Sequence, residues 1–213
     1  MKTLFLTLAA VAGSLAARPA LAQVSKFHGD LGMGLVPLRS TGPNYDHSGP
    51  YYNAAGDGFA LETINANLIT FNMNLGFDAP LLQFKGGKQS LGVSLNAGAG
   101  LMGAPERADG FNQSLILDFP EYVTYRLGAK ASKHADSDFG LGLGLGYRFC
   151  HFFLPFNSPS AMIEGVYAAK DADWMVRLST DLRPRRFYNY YSSEGYVEVM
   201  RIQQFTLLIG KSF

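Results

Sequence analysis

The chain has 213 residues, a formal net charge of +1 and only 16% charged residues. That balance excludes recruitment of nucleic acid or another polyanion by a bulk field. The single cysteine, Cys150, excludes an internal disulfide and reads as a small buried side chain. The other compositional mark is 24 glycines, 16 phenylalanines and 11 tyrosines.

The opening MKTLFLTLAAVAGSLAARPALAQ has Lys2, an apolar run over 4–17 and the small residues Ala20-Leu21-Ala22. This is the anatomy of a secretory signal peptide, with cleavage expected after Ala22. Arg18 and Pro19 interrupt the apolar run, which argues against a membrane anchor. Residues 1–22 are thus read as a signal and 23–213 as one folded domain. Beyond the signal, no stretch approaches the ~20 apolar residues of a membrane-spanning helix.

Period-2 alternation then recurs along the chain. It is weaker in 27–36 (FHGDLGMGLV) and strong in 69–77 (ITFNMNLGF) and 91–101 (LGVSLNAGAGL). It continues through 123–130 (VTYRLGAK), 139–149 (FGLGLGLGYRF) and 160–168 (SAMIEGVYA). It ends with 174–182 (WMVRLSTDL) and 205–213 (FTLLIGKSF), where Lys211 is the exception on the apolar face. These are eight strands of about nine to eleven residues, the length of a tilted strand crossing a bilayer. The second face is mostly Gly, Ser, Thr and Asn, whereas a water-facing sheet exterior carries many more charges. The pattern therefore predicts an all-β, eight-stranded antiparallel up-and-down transmembrane β-barrel. Its apolar face meets lipid, and its small and polar face lines an interior just wide enough for side chains.

Connections are expected at 37–66, 78–89, 103–118, 131–137, 150–159, 169–173 and 183–203. The odd ones are longer than their even neighbours, as in outer-membrane barrels with long extracellular loops and short periplasmic turns. That puts both termini in the periplasm. A turn centred on Lys170-Asp171 predicts Tyr167 opposite Trp174, Ile163 opposite Leu178 and, facing inward, Glu164 opposite Arg177.

Parity points Asp30, Arg126, Lys130, Arg148, Glu164, Arg177 and Asp181 into the lumen. Buried charges are costly unless paired, so a lumen network that plugs and stiffens the barrel is expected; a polar path or ligand pocket is the functional alternative. The histidines His28, His47, His134 and His151 have no Ser or acid at a spacing that fixes a nucleophile–base pair. Cys150 and His151 point to opposite faces, which is not a metal site. No enzyme, metal or cofactor is expected. The Arg183, Arg185, Arg186 cluster lies at the outer end of the seventh strand, where planar guanidinium forks suit lipopolysaccharide phosphates. The tyrosine-rich stretches PNYDHSGPYY and FYNYYSSEGYVEV are read as interfacial residues of the loops.

In architecture the chain resembles the small outer-membrane barrels of the OmpA/OmpX type, and PEYVTYRLG resembles barrels of the "porin family" of Gram-negative bacteria. The last strand FTLLIGKSF, ending on Phe213, is similar to the terminal signal read by the barrel-assembly machinery. The resemblance implies an integral outer-membrane protein among lipid and lipopolysaccharide, with a filled lumen and a structural or surface-interaction role. The alternatives are a porin-like transport or ligand-binding barrel, a lipid A-modifying enzyme, and a soluble periplasmic barrel.

Overall fold

The structure is a computed structural model. It describes residues 26–43, 45–46, 49–50, 61–103, 114–132, 137–152, 154–170, 173–191 and 196–212. The expected signal peptide and Phe213 lie outside the described residues. The strands are β1 (Lys26–Pro43), β2 (Tyr45–Asp46), β3 (Gly49–Pro50), β4 (Leu61–Phe84), β5 (Gln89–Gly103) and β6 (Ser114–Gly128). They continue as β7 (Phe139–Phe152), β8 (Leu154–Ala168), β9 (Asp173–Asp181), β10 (Arg185–Tyr191), β11 (Tyr196–Ile202) and β12 (Phe205–Ser212).

Eight of these make the barrel, in the order β4-β5-β6-β7-β8-β9-β12-β1, and β1 also pairs with β4 so that the sheet closes. Every pairing is antiparallel. β10 and β11 form a hairpin that extends β9 and β12 at one end and pairs with β1. The short connections after Phe84, Gly128 and Ala168 lie at the other end, here the turn end. Both chain ends of the barrel are there, since His28 pairs with Ser212. The opposite end is the loop end.

Alternation sets which side chains leave the barrel. Leu31, Met33, Phe71, Leu75, Leu141 and Leu145 are among the large apolar residues exposed on its outside. Their even-numbered neighbours Asp30, Asn74, Thr124, Arg148 and Glu164 are buried inside. A soluble fold would invert this arrangement. In a bilayer every backbone amide must be paired internally, which a closed ladder achieves. Among the described residues no helix is long and apolar enough to cross a membrane. The glycines of β7 make room inside. A Cβ on Gly142 would stand 3.2 Å from Glu164 Cβ, and one on Gly146 would meet the Glu121 carbonyl oxygen at 1.8 Å.

The β8–β9 register places Tyr167 opposite Trp174, Ile163 opposite Leu178 and Glu164 opposite Arg177, as the Lys170-Asp171 turn predicts. Several expected connections are instead strand. β1 and β4 pair as far as Pro43 and Leu61, because the ladder continues with polar residues after the apolar alternation stops. β7 and β8 pair as far as Phe152 and Leu154, so the connection expected at 150–159 is a tight hairpin. The loop expected at 183–203 carries the β10–β11 hairpin. β4 runs through the segment expected to turn after Phe77, with a register shift between Pro80 and Leu82. Proline lacks the amide hydrogen for the ladder, and a bulge accommodates it.

Candidate functional site

The lumen holds four layers, read in the same order along several strands. At the turn end Ala129, Val166 and Met175 pack together with Ala168. Above them lies an ionic cluster from six strands. Arg126 donates from Nε to Glu164 Oε1 at 3.0 Å, from Nη2 to Asp78 Oδ1 at 2.8 Å and from Nη1 to Thr124 Oγ1 at 3.2 Å. Arg177 donates from Nη2 and Nε to Glu164 Oε2 at 2.6 and 3.3 Å. Its Nη1 reaches Asn96 Oδ1 at 2.8 Å and Asp30 Oδ2 at 3.3 Å. Lys130 Nζ stands 2.5 Å from Asp78 Oδ2 and 3.6 Å from Glu164 Oε2. Lys130 sits in the turn after β6 at φ 67°, a left-handed conformation costly for a residue with a Cβ. The two carboxylates hold its ammonium inside.

His28 Nδ1 lies 3.0 Å from Asp30 Oδ2, and its Nε2 lies 3.5 Å from Asp78 Oδ2. His28 is thus flanked by two carboxylates inside the lumen. Asp30 shares its face of β1 two residues on, and Asp78 arrives through the β1–β4 ladder. Among the described residues no group of histidine, cysteine, aspartate and glutamate is suited to hold a metal ion.

The third layer is a second cluster. Arg148 Nε faces Asp118 Oδ1 at 3.3 Å, its Nη1 faces Asp181 Oδ1 at 3.6 Å, and its Nη2 donates to Ser179 Oγ at 2.7 Å. Arg185 Nη2 donates to Asp181 Oδ1 at 2.7 Å, and the Gln204 backbone N–H donates to Asp181 Oδ2 at 2.9 Å. At the loop end follows an apolar layer of Val36, Leu68, Met102, Ile116, Cys150 and Ile202, with Leu38 and Phe187 against it. Each fully buried side chain of this size contributes ~1.5–3 kcal/mol relative to exposure. At the turn end, Lys26 pairs with Asp173 across the seam, and Ser212 Oγ donates to the same carboxylate at 3.4 Å.

The charges balance cluster by cluster. The first holds Asp30, Asp78 and Glu164 against Arg126, Lys130 and Arg177; the second holds Asp118 and Asp181 against Arg148 and Arg185. The structure thus brings together Asp30, Arg126, Glu164 and Arg177, and separately Arg148 and Asp181. It adds Asp78 and Asp118 to the residues expected there, and it places His28 against Asp30 and Asp78.

Arg185 requires a correction. Arg183 and Arg186 are exposed at the loop end, but Arg185 is buried with its guanidinium on Asp181. Odd residues face inward along β9 and still do so at the start of β10, so Arg185 keeps the inward parity of Arg177 and Asp181 across the break at residues 182–184. Arg185 therefore belongs to the lumen, not to the outer surface.

Two depressions, of about 720 and 500 Å³, lie on the outside of the barrel. The larger is floored by Gly165 and walled by Leu141, Tyr167, Trp174, Val176 and Ile209.

No protein-family model matches the chain, and no curated protein matches its sequence. Among solved structures, it is similar to the outer membrane protein OprG from Pseudomonas aeruginosa. That match has 12% identity over 87% of this chain and 95% of the other, with a TM-score of 0.45. It is also similar to Ail, the attachment invasion locus protein of Yersinia pestis, at 12% identity over 87% and 99% of the two chains, TM-score 0.32. The P. putida toluene transporter TodX matches at 10% identity over 93% and 91%, TM-score 0.30. The class itself follows from the chain's own closed ladder and apolar exterior: an eight-stranded membrane β-barrel of the outer-membrane type.

Proposed function

We propose that the chain is an integral outer-membrane barrel whose lumen is closed by its own side chains, with a structural or surface-interaction role. The observation that carries this reading is the charge balance inside. Three carboxylates meet three cations in one cluster and two meet two in the other, all buried. Ion pathways are lined by rings of one sign or by aligned dipoles that replace water. A self-neutralised network presents neither, and the apolar layer beyond it gives ions no ligands.

The exterior supports insertion in a bilayer. The position of both barrel termini at the turn end fits a periplasmic location for them. A leader at 1–22 would deliver the chain, and Phe213 would complete the alternating β12 as the assembly signal. Arg183 and Arg186, exposed at the loop end, suit contact with lipopolysaccharide phosphates.

Fractionation of cells expressing the full chain tests the reading. The protein is expected in the outer membrane, extracted only by detergent, and migrating faster on a gel before boiling than after it. Recovery without detergent would refute it. Mass spectrometry of lipid A with and without expression is expected to give one profile, and an altered profile would refute a non-enzymatic role.

A further inference from the structure

The strand register places three exposed arginines in a row. Arg186 on β10 is the ladder partner of Arg201 on β11, and Arg201 is the partner of Arg39 on β1. All three are exposed, while Arg185 and Ile202 beside them turn inward. Directly opposed residues in an antiparallel pair have Cβ atoms ~4.5–5.5 Å apart, and like charges there repel. The neighbours on the outward face do not relieve this. On β4 they are Asn65, the partner of Arg39, and Asn67; Thr41 and Thr63 lie beyond, and Tyr188 follows on β10. None of these is a carboxylate. Among the residues whose side chains are described, none forms an ion pair with Arg39, Arg186 or Arg201.

The contrast with the interior is sharp. Inside, every arginine cluster is matched by carboxylates; here three guanidiniums stand on adjacent strands with none. A row of this kind becomes favourable when a multivalent anion lies across it. Guanidinium forks fit phosphate oxygens bidentately, and Asn65 and Asn67 add amide donors beside them. The face points away from the barrel, at the end where the apolar belt gives way to polar residues. An anion on it would therefore be carried by a lipid whose acyl chains run down the belt.

We propose that Arg39, Arg186 and Arg201 form a binding site for the phosphorylated glucosamine headgroup of lipid A in the outer leaflet. This rests on the membrane reading above and on the loop end facing out of the cell. It extends the contact at Arg186 into a site assembled from three strands.

The test measures binding of lipid A to the detergent-solubilised full chain by thermal shift and native mass spectrometry. Bisphosphorylated lipid A, its dephosphorylated form, phosphatidylglycerol and inorganic pyrophosphate serve as probes. Wild type is expected to bind bisphosphorylated lipid A in preference to the other three. Each of Arg39→Gln, Arg186→Gln and Arg201→Gln is expected to weaken that binding about fivefold, the factor matching ~1 kcal/mol per basic residue at an anionic lipid surface. Lys85→Gln and Lys88→Gln, exposed at the turn end, are expected to leave it unchanged.

Without lipid A, Arg201→Gln is expected to keep or raise the unfolding temperature, because it relieves repulsion. A purely structural arginine would lower it. Equal binding of lipid A by the triple variant and wild type overturns the proposal, as does equal binding of the dephosphorylated form. A chain that remains soluble without detergent would instead overturn the membrane reading.

Discussion

Replacing Glu164 by glutamine removes the carboxylate that three cations share. Arg126 Nε lies 3.0 Å from it, Arg177 Nη2 2.6 Å and Lys130 Nζ 3.6 Å, and Glu164 is fully buried. The cluster would then hold two carboxylates, Asp30 and Asp78, against three cations. Removing one partner of a buried ion pair typically costs ~3–5 kcal/mol, because the other charge stays buried without compensation. Arg177→Met unbalances the cluster in the opposite sense and is expected to cost a similar amount. The double variant restores two against two, so its loss is expected to fall short of the sum by about 2 kcal/mol. Urea unfolding in micelles, followed by emission of Trp174, reads this out; it is the only tryptophan and faces lipid. Additive losses, or a Glu164→Gln loss under ~1 kcal/mol as for an exposed pair, would refute the account of the cluster as a coupled unit.

Arg185→Ala is expected to destabilise by about 3 kcal/mol by leaving Asp118 and Asp181 buried against Arg148 alone, whereas Arg186→Ala changes stability by less than ~0.5 kcal/mol; the same unfolding assay compares them. Gly146→Ala drives a Cβ to 1.8 Å from the Glu121 carbonyl oxygen. It is expected to cost at least ~1–3 kcal/mol, while Gly165→Ala, with nothing within 4 Å, is expected to assemble normally. Equal heat-modifiable migration of the two would contradict the packing inside β7. Cys150, 3% exposed in the apolar layer, is expected to resist a small water-soluble thiol reagent in the folded barrel and to react after boiling. Rapid labelling of the folded form would mean that water reaches it.

The lipid-facing belt was legible because the membrane imposes period 2 on large apolar residues and the strand must obey it over its whole crossing. Where lipid ends the constraint ends, so β1, β4 and the β10–β11 hairpin run on through segments that read as loops. Asp78 and Asp118 escaped notice for a local reason: each stands at the edge of an expected connection, 78–89 and 103–118, where the apolar alternation stops. In the structure Pro80 sits at a register shift, and Pro120 remains in β6, its carbonyl accepting from Asn96 Nδ2 at 3.0 Å. The apolar lumen layer of Val36, Leu68, Met102 and Ile116 was missed because an interior opposed to lipid was expected to be polar throughout. Glu164 and Arg177 were found because a short turn fixes register, and register brings inward charges face to face. The row of Arg39, Arg201 and Arg186 could not be read from spacing, since three strands assemble it.

Ion conductance after reconstitution into planar bilayers tests the closed, self-neutralised lumen most directly. The balanced clusters and the apolar layer beyond them predict no steady current from the wild-type barrel at moderate voltage. Steady ohmic channels would contradict the account.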